Sequence, residues 1–182
     1  MLVDSETLLK RLKKVFRTYG YEGTTLSILE EHVGLKKASL YHRFPGGKKE
    51  MATYVLDEVG KWVDENVVSV CYGDLPKEQK LLKVLDKTYE MYEGGDAACL
   101  WRVFSLGESL EMFQTTVEKQ IRCMIKAIAH LFEEFGENKD IALRKSTEFM
   151  ITIQGRLVMV SAMNDVSYFR DYLEEFKHEM LG

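Results

Sequence analysis

Apolar residues recur along this chain at the three-and-four spacing of amphipathic helices, almost from its first residues to its last. Leu8, Leu9, Leu12, Val15, Phe16 and Tyr19 form one stripe of a helix expected over about 4–19, with Asp4 or Ser5 as its N-cap. Lys10, Lys13, Lys14 and Arg17 cover the opposite side, a face that is either plainly solvated or lies near phosphates. Gly20-Tyr21-Glu22-Gly23 reads as a turn, and Thr24 and Thr25 open a second, short segment with Ile28, Leu29 and Val33 on one face. That segment stops at Gly34, because a left-handed backbone at a helix end suits glycine best. A third short helix, about 36–42, carries Leu40, Tyr41 and Phe44.

The later pattern is of longer helices. A fourth is expected over about 48–67, with Met51, Tyr54, Val55, Val59, Trp62 and Val63 at helical spacing, broken by Cys71-Tyr72-Gly73-Asp74-Leu75-Pro76. A fifth, about 77–92, is expected to bury Leu81, Leu82, Leu85, Tyr89 and Tyr92. After the Gly94-Gly95-Asp96 turn come helices of about 97–106 and 108–135, then two more over about 138–163 and 166–181, joined at Asn164-Asp165. The fold class is therefore all-α, with about nine helices. The two closing helices are apolar over more surface than one neighbour would cover, and Gly155 and Ala162 would let another helix come close. That excess points to a four-helix interface across a two-fold axis, through Ile153, Leu157, Val160, Phe169, Tyr172, Leu173 and Phe176.

Composition narrows the classes. At 182 residues the chain can bury a sizeable core without disulfides. Its three cysteines, Cys71, Cys99 and Cys123, are widely spaced and form no C-x-x-C pair, which argues for reduced thiols in a cytoplasm and against a zinc site. No apolar run approaches a membrane span, and no signal-peptide core opens the chain. The net charge of −4 hides an asymmetry: residues 1–50 carry ten Lys and Arg against six Asp and Glu, and the remainder is acidic. A basic head on an acidic body suits a protein that meets phosphates at one end, although scattered surface charge gives the same count. Enzymatic chemistry finds no support, since H-E-x-x-H and G-x-S-x-G are absent and no cysteine has an evident histidine partner. No cofactor and no metal are expected.

Two short helices around a tight, glycine-containing turn form a helix-turn-helix, whose second helix fits the DNA major groove. Spacing alone does not separate this from any other helical hairpin. The residues add more. Gly34-Leu35-Lys36-Lys37-Ala38-Ser39-Leu40-Tyr41-His42-Arg43-Phe44-Pro45 resembles the signature of the TetR family of transcriptional regulators, and Pro45-Gly46-Gly47-Lys48 resembles the branch with a loop one residue longer. The resemblance covers about the first third of the chain. One departure is Glu30, standing where such motifs usually carry a small alanine facing the turn; it has to reach solvent or find a partner, and it opens the turn slightly.

The resemblance implies a DNA-binding head over 1–47 and a ligand-binding and dimerisation body over 48–182. It implies a homodimeric cytoplasmic repressor on a pseudo-palindromic double-stranded operator, released by a small hydrophobic or aromatic inducer. On this reading Thr25 serves both as N-cap and as phosphate ligand, Lys36, Lys37 and Ser39 reach base edges or phosphates, and Tyr41, His42 and Lys48 bond phosphates. A partly buried core aromatic is the competing reading for Tyr41. Leu40 and Phe44 belong to packing. In the body, Trp62, Tyr92, Trp101, Phe104, Phe113, Met124, Phe149 and Met150 are candidates to line a ligand site, with Gln154 as a placed polar group; core packing is the alternative for each. Two rival functions stay open: a DNA-binding regulator controlled by a protein partner or by cysteine oxidation, and a helical-bundle enzyme or carrier.

Overall fold

The first helix begins where the sequence places its cap. In the computed structural model, which describes residues 3–182, the Asp4 carboxylate accepts hydrogen bonds from the amide and the hydroxyl of Thr7, both at 2.8 Å. It thereby satisfies a donor that the first helical turn leaves unpaired. The helix, α1, runs Ser5–Gly23 and changes direction at Gly20, whose φ of +68° lies in the left-handed region. Beyond that kink Tyr21 turns inward and is buried. Tyr19, ahead of the kink at the edge of the Leu8–Leu12–Phe16 stripe and expected inside, is exposed, with its hydroxyl 2.8 Å from the His32 ring nitrogen.

Next come α2 (Leu26–Val33) and α3 (Lys37–Arg43), followed by α4 from Gly47 to Val63. α4 does not stop near residue 67: a π turn, Asp64–Val68, carries it on into Ser69–Tyr72, and the chain breaks only at Gly73. α5 is Lys77–Met91, α6 is the short Leu100–Val103, and α7 is Gly107–Glu134. α8 (Lys139–Met163) is capped by Asn138, whose side chain accepts from the Ile141 amide, and α9 is Ser167–Leu181. The architecture is all-helical, with no strand among the described residues. The sequence places α6 too generously, since Gly94 and Gly95 hold a tight turn at positive φ and the Ala97 amide bonds back to the Tyr92 carbonyl at 3.0 Å. On α5, Leu82 and Tyr89 are exposed, while Lys80, Val84 and Thr88 are buried alongside Leu81 and Leu85.

The chain divides into two compact units. One takes in the N-terminal helices through Gly60 together with Leu100–Glu118; the other is Lys61–Cys99 with Lys119–Gly182. The first is built on an aromatic cluster. Phe104 meets Phe16 at 5.2 Å and Phe113 at 5.3 Å, both edge-on, and Tyr21 meets Phe113 at 5.4 Å. Edge-to-face pairs of this kind add to the burial of large apolar rings. The second packs α9 against α8 and α5, with Phe169, Leu173 and Phe176 inward, Phe176 lying 4.8 Å from Phe149. Its one deeply buried charge, Lys80, bonds the Glu134 carboxylate at 2.6 Å, so the ammonium is compensated where it is dry. No helix among the described residues is long and apolar enough to cross a membrane.

Candidate nucleic-acid interface

The head is held together at its turn. Gly34 ends α2 at φ +74°, and the Arg11 guanidinium donates to the Val33 carbonyl at 2.7 Å. A β-carbon at Gly34 would stand 2.6 Å from that guanidinium nitrogen, so glycine is required both by the left-handed backbone and by the close approach of α1. α3 is then fixed at both ends. Leu40 and Phe44 are buried, as packing residues should be, and Arg43 donates to the Val3 carbonyl and the Ser5 hydroxyl at 3.0 and 2.7 Å. Arg11 and Arg43 sit in charged runs, and nothing in their spacing marks them as internal ties.

What α3 leaves outside is mostly polar. Lys36, Lys37, Ser39, Tyr41 and His42 are all exposed, and among the described residues their side chains make no ion pair or hydrogen bond. Tyr41, at 39% exposure, is a surface aromatic whose ring leans over the start of α4: a β-carbon at Gly47 would lie 3.5 Å from it. Thr25 caps α2, its hydroxyl accepting from the Ile28 amide at 3.3 Å, and stays exposed. Its neighbour Thr24 is buried and bonds the Gly20 carbonyl. Lys48 is half-buried; its ammonium donates to the Tyr21 carbonyl at 2.8 Å and sits 4.3 Å from the centre of the Tyr21 ring. Two of its three protons remain for an outside acceptor.

A second joint, which no sequence signal announces, ties the head to the start of α7. The Glu22 carboxylate accepts from the Ser109 amide at 3.0 Å, capping a helix that begins 85 residues later, and a β-carbon at Gly107 would stand 2.8 Å from that carboxylate. The Ser109 bond holds the Glu22 carboxyl below its ordinary 4.5; desolvation opposes this and the Lys48 charge assists it. A carboxylate whose pKa is depressed on folding stabilises above its unfolded value, and that contribution disappears as pH falls through the folded one. Glu22→Gln is therefore expected to lower the urea midpoint at pH 7, with the gap from wild type closing below about pH 4.5. A gap that persists unchanged at pH 3 would show the carboxylate charge to be irrelevant there.

The proposed ligand residues divide between the two units. Trp101, Phe104 and Phe113 lie in the first unit, where Phe104 and Phe113 pack on Phe16 and Tyr21. Trp62, Tyr92, Met124, Phe149, Met150 and Gln154 lie in the second. There the Gln154 amide donates to the Tyr92 hydroxyl at 3.2 Å, and that hydroxyl stands 3.8 Å from the Cys99 sulfur. Phe149 packs on Phe176 and Tyr172. Burial pushes the Cys71 thiol up to about 12, and burial and the nearby Asp64 push Cys123 up, so both are held as thiols rather than as reactive thiolates.

The residues expected at a dimer interface are mostly covered within the single chain. Ile153, Leu157, Val160, Phe169, Leu173 and Phe176 are covered by packing within one chain, and Tyr172 is half-buried beneath Arg156. The apolar strip that α8 leaves open is Ile151, Val158, Met159 and Met163, with Gly155 and Ala162 exposed between them and open space where a Gly155 side chain would be. Sequence spacing could not choose between these strips, because α8 is apolar on both.

These features define an all-helical protein with a helix-turn-helix head. Residues 8–55 match the family model of the bacterial regulatory proteins, tetR family. The HTH-type transcriptional regulator LmrA of Bacillus subtilis (strain 168) is 29% identical over 91 residues, 48% of this chain and 48% of that protein. The uncharacterized HTH-type transcriptional regulator YxaF of the same organism is 37% identical over 59 residues, 32% of this chain and 31% of that one. The chain thus spans half or less of the curated relatives it matches. Among solved structures, a TetR transcriptional regulator from Legionella pneumophila superposes with a TM-score of 0.81 at 17% identity, covering 100% of this chain and 99% of the other. A TetR-family regulator from Agrobacterium tumefaciens gives 0.75 at 14% identity, covering 96% and 95%. The fold is that of the TetR-type regulators, head and helical body together.

Proposed function

We propose that the chain is a TetR-family transcriptional repressor: a homodimer that binds a pseudo-palindromic operator and is released by a small hydrophobic or aromatic ligand. On this reading residues 1–47 are the DNA-binding head, residues 48–182 are the ligand-binding and dimerisation body, and the protein works in the cytoplasm. The observation that carries it is the outer face of α3, where Lys36, Lys37, Ser39, Tyr41 and His42 point away from a helix whose Leu40 and Phe44 are buried. A seven-residue helix whose outer face carries lysine, serine, tyrosine and histidine has the chemistry of a major-groove reader. Thr25 and Lys48 flank it as phosphate ligands, through a helix N-terminus and a point charge. Dimerisation along the open strip of α8 would set two heads on half-sites about one helical turn (~34 Å) apart. The Tyr92–Gln154 pair supplies a hydrogen-bonding group for an otherwise apolar ligand.

The test is selection of duplexes from a random pool, then titration at several salt concentrations. Wild type is expected to discriminate selected from random duplex and to lose affinity steeply with salt. Tyr41→Ala should weaken both duplexes alike, and Lys37→Ala should also cut discrimination, by roughly tenfold for one base-edge contact. Indifference to all duplexes in dilute buffer would overturn the reading. Equal losses on both duplexes for the two variants would remove only the base-reading role of Lys37.

A further inference from the structure

Glu30 is the residue that departs from the usual helix-turn-helix pattern, and the structure gives it a partner. Its carboxylate accepts a hydrogen bond from the Lys37 backbone amide at 2.7 Å, reaching from α2 across the turn to the first residue of α3. The local chemistry leaves α3 in need of such a bond. It is only seven residues long, its N-cap position is Lys36, that residue makes no side-chain capping bond, and no acidic residue lies in the first turn. Short helices are marginal without help, and a lysine pair at an N-terminus opposes the helix dipole. A carboxylate at that end satisfies one orphan amide and places negative charge where the dipole favours it.

We propose that Glu30 is a positioning residue for DNA reading: it is the N-cap of α3 supplied from α2, and it fixes the angle at which Lys37 and Ser39 meet base edges. This rests on the proposed DNA-binding function and deepens it. Positioning and charge make opposite contributions. The carboxylate repels phosphates, so it weakens non-specific binding, while the bond it makes orders the reader and so supports specific binding. The ratio of the two affinities reports the positioning role and is insensitive to plain repulsion.

The experiment compares wild type, Glu30→Ala and Glu30→Gln, the last retaining an acceptor oxygen without the charge. Two readouts are taken: hydrogen exchange at the Lys37 amide in the free protein, and affinity for a duplex selected from a random pool against a scrambled duplex of equal length. Glu30→Ala is expected to expose the Lys37 amide and to cut discrimination roughly five- to tenfold, the scale of losing one cap. Glu30→Gln should keep most of the protection and most of the discrimination while binding both duplexes more tightly. If Glu30→Ala tightens both duplexes equally and leaves discrimination intact, Glu30 acts by charge alone and the inference is overturned. Should wild type bind no duplex at all, the DNA-binding function itself has failed and the inference falls with it. Only wild type that discriminates beside an alanine variant that discriminates equally isolates the failure to Glu30.

Discussion

Ile151→Glu is expected to give a monomeric protein with an unchanged unfolding midpoint and a loss of at least a hundredfold in affinity for a two-half-site duplex. Ile151 is 65% exposed in the single chain, so a carboxylate there costs the folded monomer almost nothing. Buried against a second copy along the strip with Val158, Met159 and Met163, the same carboxylate would be dry and unpaired, a penalty of several kcal/mol. Losing the second head removes an effective-concentration gain of about 10²–10⁴. The control is Leu157→Glu, on the same helix but 7% exposed inside its own chain, which should unfold the protein rather than dissociate it. Sedimentation and urea melts separate the two effects. A dimeric Ile151→Glu protein would place the interface elsewhere.

Phe104→Ala should be the most damaging single truncation in the first unit. The ring is fully buried and meets Phe16, Tyr21 and Phe113 within 5.2 to 6.4 Å. Phenylalanine-to-alanine changes in a packed core cost about 3–5 kcal/mol, through lost transfer energy and the cavity left behind. Against a typical total of about 5–15 kcal/mol, that is enough to leave a marginal head. Phe104→Leu refills most of the volume and should cost less than half as much. The measurement is the chemical denaturation midpoint of both variants; a loss below about 1 kcal/mol for the alanine would mean the cluster relaxes around the hole.

Much of the architecture was legible because local rules agreed with one another. Asp4, Thr25 and Gly34 all act at helix ends, and the closing helices start and stop within a residue or two of their expected limits. Leu40 and Phe44 went inside and Lys37, Ser39 and Tyr41 outside, as the period of a helix with one covered face requires. The errors were also physical. Tyr21 is buried because the kink at Gly20 resets the helical phase beyond it, while Tyr19, ahead of the kink, leans out against His32. The fourth helix was expected to end near residue 67, and a π turn carries it on to Tyr72, where the run around Gly73 breaks it as its composition suggests.

The sequence by itself therefore determined an all-helical chain, its helix ends, and a short exposed helix bearing lysine, serine and tyrosine after a glycine turn. These depend on spacing, capping chemistry and backbone freedom, all of which act over a few residues. Tertiary structure alone decided that Glu22 caps α7, that Glu30 caps α3, that Arg11 closes over Gly34, and which strip of α8 stays open. A carboxylate's partner and the choice between two apolar strips depend on which distant surface arrives, and periodicity within a segment carries no information about that.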